Sequence, residues 1–402
     1  MTSLRRLLPL LLLLMASVSS ATSITPEARF CPVCTESVTV QLPLSTNDSG
    51  GQDRDLLRRA HGAQVFMEVV ATCGSCGFSG WPADFDVERR KKWRKRGGEP
   101  QDDEALSDDQ RQAVLDGALV RPASLDGVPS EPDAPYANLP AWARMDLLAQ
   151  TVALRGGDAE RVADIHLQAS WAVRMGYHPV HLEGAGPTEA QRDWLFGRLA
   201  EYTEQAGGLD MTNPADVELW AGIRLLTAAE RAPARLSCLS ATYGASLMRS
   251  HGEHAALLAA LPMLEGCFEP SSWPAKAQAI RASVELERHY QHLARDGFVQ
   301  ALEAGLVEGE KAIITTYLVG ELERRLGEHD AAATHFEATM VMGPPEGLDV
   351  WVRQQRCLLD EDDPILGLLV CRAKDPGPSP SVEPAPAPEP APEPAPEPGS
   401  PG

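Results

Sequence analysis

The sequence predicts a mainly α-helical protein: a tetratricopeptide-like helical repeat stack with a small N-terminal zinc-ribbon-like β head. Three observations predict it. Two CxxC pairs, Cys31-Pro32-Val33-Cys34 and Cys73-Gly74-Ser75-Cys76, lie close together in the N-terminal part. From about residue 140 to 371, apolar residues recur at helical spacing. Within that span a Gly-Glu-His triplet recurs 75 residues apart.

Residues 1–21 read as an export signal. Arg5-Arg6 supply the positive start, Leu7 to Met15 the apolar run, and Ala16 to Ser23 a small, polar stretch with cleavage expected after Ser20 or Ala21. The apolar run is too short for a stable bilayer anchor. The expected location is therefore periplasmic or extracellular, with no transmembrane anchor after cleavage.

Residues 22–96 form the expected head. Each CxxC turn points two sulfurs to one side of a tight loop, and two facing loops complete the tetrahedral thiolate set of a structural zinc. Cys31, Cys34, Cys73 and Cys76 are the candidate ligands. Pro32 stiffens the first turn, while Gly74 and Gly77 relieve the second, where positive φ is expected. Val38 to Leu42 and Val65 to Val70 are rich in β-branched and aromatic residues and read as strands beside the two knuckles. Two disulfides in an oxidising compartment, or a CxxC redox site, are the alternatives for the same four thiols. A head this small has little core of its own, so it is expected to unfold on metal loss while the helices persist.

Residues 97–139 read as a polar, acidic connector with one short helix from Asp108 to Leu119. The run Arg89 to Arg96 places seven cations around Trp93. It suits a solvated helix end facing Asp102-Asp103-Glu104, or contact with nucleic acid or anionic lipid. The net charge of −21 argues against nucleic acid as the main partner. Residues 140–371 are the helical repeat domain. Faces such as Trp142/Met145/Leu148/Val152 and Val162/Ile165/Ala169/Val173 recur through it, with Trp194/Leu195/Leu199/Tyr202 and Leu219/Ile223/Leu226 following. Residues 372–402, dominated by Pro, Ala and Glu, cannot bury a core and read as an extended spacer.

The repeat sharpens the helical reading. Gly252-Glu253-His254 and Gly327-Glu328-His329 each end one helical run and open the next. Around the second, Gly320, Gly327, Ala332, Phe336 and Pro344 fall at the small, aromatic and terminal-proline positions of a tetratricopeptide unit. Glu323 departs from that register, standing where an apolar residue is usual. An ordinary helical bundle is the alternative.

These motifs together resemble the bacterial family called domain of unknown function 2225. The stretches that carry the resemblance are Cys31 to Cys34, Asp53-Arg54-Asp55-Leu56, Cys73-Gly74-Ser75-Cys76-Gly77-Phe78 and Phe85, with His166 to Arg174 and Gly320 to Gly327 in the helical half. The signal and the Pro-rich tail depart from the family pattern, as does Gly74 where proline is usual. The resemblance implies the same two-part fold and no established activity.

No nucleophile elbow, P-loop, HExxH or dinucleotide fingerprint occurs. Six of the ten histidines fall in HxxH pairs, His178/His181, His251/His254 and His289/His292, which read as solvated polar faces or as metal ligands. Cys357 with Cys371 would close a short loop as a disulfide; buried thiols on helices are the alternative for these two and for Cys238 and Cys267. The functional expectation is an exported, non-enzymatic zinc protein acting as an interaction scaffold or adaptor of the cell envelope. Its helical concave face would bind a protein or peptide partner. An envelope thiol-redox protein is the alternative, and a hydrolase with a dispersed site is a third class.

Overall fold

A computed structural model describes residues 22–60, 63–85, 106–125, 131–176, 188–207, 213–229 and 234–374. The export signal, the basic run at 89–96, the His178/His181 pair and the Pro-Ala-Glu tail lie outside the described residues. Within them the chain is mainly helical, with a small antiparallel β element at its N-terminal side.

The head begins with β1 (Ser23–Phe30) paired antiparallel to β2 (Ser37–Ser45) around the first knuckle. β2 is the strand expected at Val38 to Leu42; it turns Val38 and Val40 into the core and its intervening residues outward. A second ribbon of two residues per strand, β3 (Ala71–Thr72) and β4 (Ser79–Gly80), flanks the second knuckle. The strand expected at Val65 to Val70 is instead a short helix, α1 (Val65–Val69). Tertiary contacts override β propensity here. One helical turn lets Phe66 meet the Trp171 ring edge-on at 5.9 Å and buries Val69. Arg144 donates to the Met67 and Val70 carbonyls at 2.6 and 2.5 Å, satisfying acceptors that a helix end leaves open.

The connector is more than a linker. Its helix α2 (Asp108–Leu115) opens with a capping box between Ser107 and Gln110. Leu106, Val114 and Leu119 are buried in the same core as Cys31, Cys73, Phe78 and Phe85. That core also takes in Leu147 of α3 (Ala141–Leu154). Head, connector and first long helix thus share one apolar interior.

The helical body continues with α4 (Ala159–Gly176), α5 (Glu189–Gly207), α6 (Pro214–Ala229), α7 (Ala234–Ser250), α8 (His254–Glu265), α9 (Trp273–Glu303), α10 (Gly309–Leu326), α11 (His329–Met342), α12 (Leu348–Leu359) and α13 (Pro364–Lys374). Sequential hairpins account for α3/α4, α6/α7, α7/α8 and α10/α11, while the 31-residue α9 runs against α4 and α10, and α13 returns to α6 and α8. Disulfides Cys238–Cys267 and Cys357–Cys371 join α7 to the end of α8 and α12 to α13. No described helix is long and apolar enough to cross a membrane.

The two Gly-Glu-His turns share one backbone conformation. Gly252 and Gly327 have φ of 71° and 86°, and the glutamates after them have φ/ψ of −82°/72° and −89°/62°. In each turn the Glu N–H reaches back five residues, to Met248 and Glu323. In the α10/α11 hairpin a Cβ on Gly320 would lie 2.9 Å from the Phe336 ring, so glycine lets the two helices close on the aromatic. The off-register Glu323 is explained by His335 across the hairpin, whose Nδ1 lies 2.7 Å from its carboxylate. Phe336 is fully buried among Tyr317, Ala332, Leu348 and Val352. Phe336→Ala is expected to cost about 3–5 kcal/mol, from lost transfer energy plus the cavity left behind. A urea melt reads it; a shift below about 1 kcal/mol would mean that this packing is not a determinant of stability.

Candidate metal centre and buried ionic cluster

The two knuckles are built alike. In each, the first cysteine's N–H donates to the carbonyl five residues on: Cys31 to Glu36 at 2.8 Å, Cys73 to Phe78 at 2.9 Å. Its carbonyl accepts from the residue after the second cysteine, Thr35 or Gly77, each at 3.0 Å. Those two residues have positive φ, 65° and 76°. Of the two glycines expected at positive φ, Gly77 has it and Gly74 does not, while at the equivalent place of the first knuckle Thr35 carries the strain a β-branched residue has there. A Cβ on Gly77 would also lie 2.9 Å from the Tyr136 ring.

The knuckles face each other. Cys31 Sγ lies 3.7 Å from Cys76 Sγ and Cys34 Sγ 3.4 Å from Cys73 Sγ, with all four sulfurs within 4.8 Å of one another. A disulfide needs a separation of about 2.0 Å, and all four cysteines are free. With metal–sulfur bonds of about 2.3 Å, a regular tetrahedron has sulfurs about 3.8 Å apart, so the cluster fits one tetrahedral ion. Hydrogen bonds from Cys31 and Cys76 push the Cys73 thiol down, to about 2, while the bond shared with Cys73 raises Cys31 to about 12. Phe78 and Phe85, edge-on at 5.4 Å, close the apolar side of the site. Arg155 stacks over Phe78 and pairs with Asp84 at 3.1 Å.

The second assembly is one that spacing and motif searches alone missed. Between the knuckles, residues 50–59 form a narrow hairpin finger, closed by the Gly50 N–H to Arg59 carbonyl bond at 2.9 Å and the Arg59 N–H to Gly51 carbonyl bond at 2.8 Å. Leu56 turns its tip with φ of 68°. The finger enters the helical body, burying Asp53, Arg54, Asp55, Leu57 and Arg59. Asp55 accepts from Trp171 Nε1 at 3.1 Å, pairs with Arg325 at 3.1 Å and is bound tightly by Arg174. Asp53 accepts from Arg59 at 2.9 Å and lies 2.8 Å from His251 Nδ1. Arg54 pairs with Asp216 and Gln354 at 2.8 and 2.6 Å and stacks on Trp351. Tyr317 donates to the Arg54 carbonyl at 2.8 Å.

Behind the finger the charges continue. Glu287, in the middle of α9, accepts from Arg174 at 2.9 Å, is bound tightly by Arg249 and lies 3.0 Å from His254 Nε2. Glu321 accepts from Arg324 and Arg325 at 2.9 and 2.7 Å. Burial would raise the Glu287 carboxyl, but Arg174, His254 and Arg249 more than offset it and hold the group well below the usual range. Asp53 follows the same logic, with burial opposed by Arg59 and His251.

The HxxH pair His251/His254 is buried against the carboxylates of Asp53 and Glu287 and is not a solvated polar face; among the described residues the candidate metal groups contain no histidine. His289 stands beside Tyr290, with ring centres 5.2 Å apart, and His292 is exposed. The stretches Asp53 to Leu56, His166 to Arg174 and Gly320 to Gly327 meet at one carboxylate, Asp55. No protein-family model matches the chain, and neither a curated protein nor a solved structure matches it.

Proposed function

We propose that this is an exported, non-enzymatic interaction protein whose four-cysteine centre holds one structural zinc. The convergence of sulfurs from two opposed knuckles carries this reading. A closed set of four thiolates leaves no open position for substrate or water, which is the arrangement of structural rather than catalytic zinc. Cys31, Cys34, Cys73 and Cys76 would hold the ion. When bound it would supply the cross-link that a two-stranded ribbon lacks. A thiol-redox role is less well supported, because all four sulfurs converge on one point, within 4.8 Å of one another, rather than forming two separate pairs. Export is supported by the disulfides Cys238–Cys267 and Cys357–Cys371, which persist in an oxidising compartment. The same four-cysteine head, joined to helical hairpins, supports membership of the family resembled by the knuckle, finger and hairpin motifs. A protein or peptide partner suits the helical body, whose hairpins present extended side-chain faces.

Metal analysis with thiol counting tests the reading. Purified protein is expected to carry about one zinc per chain. Unfolded without reductant but with chelator, it should expose four alkylatable thiols, with the two disulfides intact. Metal-free protein with the knuckle cysteines already oxidised would overturn it in favour of redox chemistry.

A further inference from the structure

We infer that the four-cysteine centre and the 50–59 finger form one latch, so that metal held in the head keeps the helical body closed. The inference rests on the metal reading above. The finger lies in the chain between the knuckles, and Cys34 and Cys73 bound the segment that carries it. An ion joining the knuckles closes the Cys34–Cys73 segment that carries the finger, whose own feet are held by the Gly50 and Arg59 backbone bonds. Without it, that segment gains the freedom of an open loop, and inserting its tip then costs the closure entropy as well.

The tip matters to the body because of what it separates. A Cβ on Gly252 would lie 2.0 Å from Arg325 Nη1 and 2.6 Å from Arg174 Cζ, so two guanidiniums crowd one point of backbone. Arg174 belongs to α4 and Arg325 to α10. Like charges so close in a buried setting repel strongly. The Asp55 carboxylate, bonded to both, neutralises that repulsion. Arg54 at the same tip ties α6 to α12 through Asp216 and Gln354. A finger that withdraws takes Asp53 and Asp55 with it, leaving Arg174 only Glu287 and Arg325 only Glu321 as carboxylate partners, and the repulsion between the two guanidiniums, no longer offset by a shared carboxylate, loosens the packing of α4 and α10. The metal thereby acts, through the finger, on helices that it does not touch.

Hydrogen exchange on the full chain tests this, comparing zinc-loaded protein with protein stripped by a chelator under anaerobic conditions. Zinc removal is expected to speed amide exchange in α4 and α10 by about tenfold or more. In Asp55→Asn those helices should already exchange fast, and stripping should add less than about twofold, because the link is cut. Unchanged exchange in α4 and α10 of the stripped wild type overturns the latch while leaving the metal reading intact. A chain that takes up no zinc overturns both, and metal content tells the two failures apart. Should Asp55→Asn fail to fold, Cys31→Ser, which opens a knuckle without touching the finger, should match stripped wild type in both helices. Protection equal to that of zinc-loaded wild type would overturn the latch.

Discussion

Replacing Arg174 with methionine is expected to destabilise the protein by about 3–5 kcal/mol, the cost of breaking a buried ion pair from one side. The side chain is fully buried and bonds Asp53, Asp55 and Glu287. Methionine keeps most of the volume, so the loss is electrostatic. Each carboxylate retains another partner: Arg59 and His251 for Asp53, Arg325 for Asp55, Arg249 and His254 for Glu287. One excess negative charge is nevertheless left where water does not reach. The exposed pair Arg198–Glu201 is the control, because its side chains are 44% and 47% accessible. Arg198→Met should change stability by no more than about 0.5 kcal/mol. Adding Glu287→Gln to Arg174→Met should recover part of the loss, since the second change removes a charge the first one stranded. Urea midpoints measure all three. An Arg174 effect no larger than the Arg198 effect would mean that these charges are not paired in the folded protein.

That cluster also marks where sequence reasoning stopped. The knuckles were legible because zinc geometry demands four thiols at short, fixed spacings. The Gly320 to Pro344 hairpin was legible because small and aromatic residues recur at fixed offsets, and Gly320 against Phe336 bears that out. Asp53, Arg54 and Asp55 were visible only as part of a resemblance. Nothing in an Asp-Arg-Asp tripeptide says that Arg174, Arg249, Glu287 and Arg325, spread over four helices, will surround it. Charged residues are ordinarily read as solvated surface, and their burial depends on tertiary pairing that leaves no local period. Val65 to Val70 failed for a related reason: a short apolar run carries no period long enough to tell one helical turn from a strand. The contact between head and body left no sequence signal either. Leu106, Val114, Leu119 and Leu147 join head, connector and body in a single core, and the finger binds them a second time.

Acid is expected to unfold the protein in two stages. Burial holds the His254 imidazole below its usual range despite Glu287, and burial with His289 lowers His166 to about 4. Both are lower in the folded than in the unfolded chain, so the unfolded chain takes up more protons. Stability therefore begins to fall as pH drops below about 6.5, the unfolded histidine value. His335 acts over a different window. Its bond to Glu323 raises it, so its contribution is complete below about pH 6.5 and is lost as pH rises through its folded value. The first stage, carried by the two imidazoles His254 and His166, should be shallower than the second. The second comes from Glu287, Asp53 and Glu321. Burial would raise all three, but their arginine and histidine partners offset it and hold them low. Their contribution is whole above the unfolded carboxylate values of about 4 and is lost as pH falls below them toward the folded values. Melting temperature against pH should show a gentle decline, then a steep one below about pH 4. In Arg174→Met the steep limb should begin at higher pH, because Glu287 loses one of the cations that hold its carboxyl low. A wild-type profile that stays level to about pH 3 would show that the buried carboxylates do not couple to folding as their partners require.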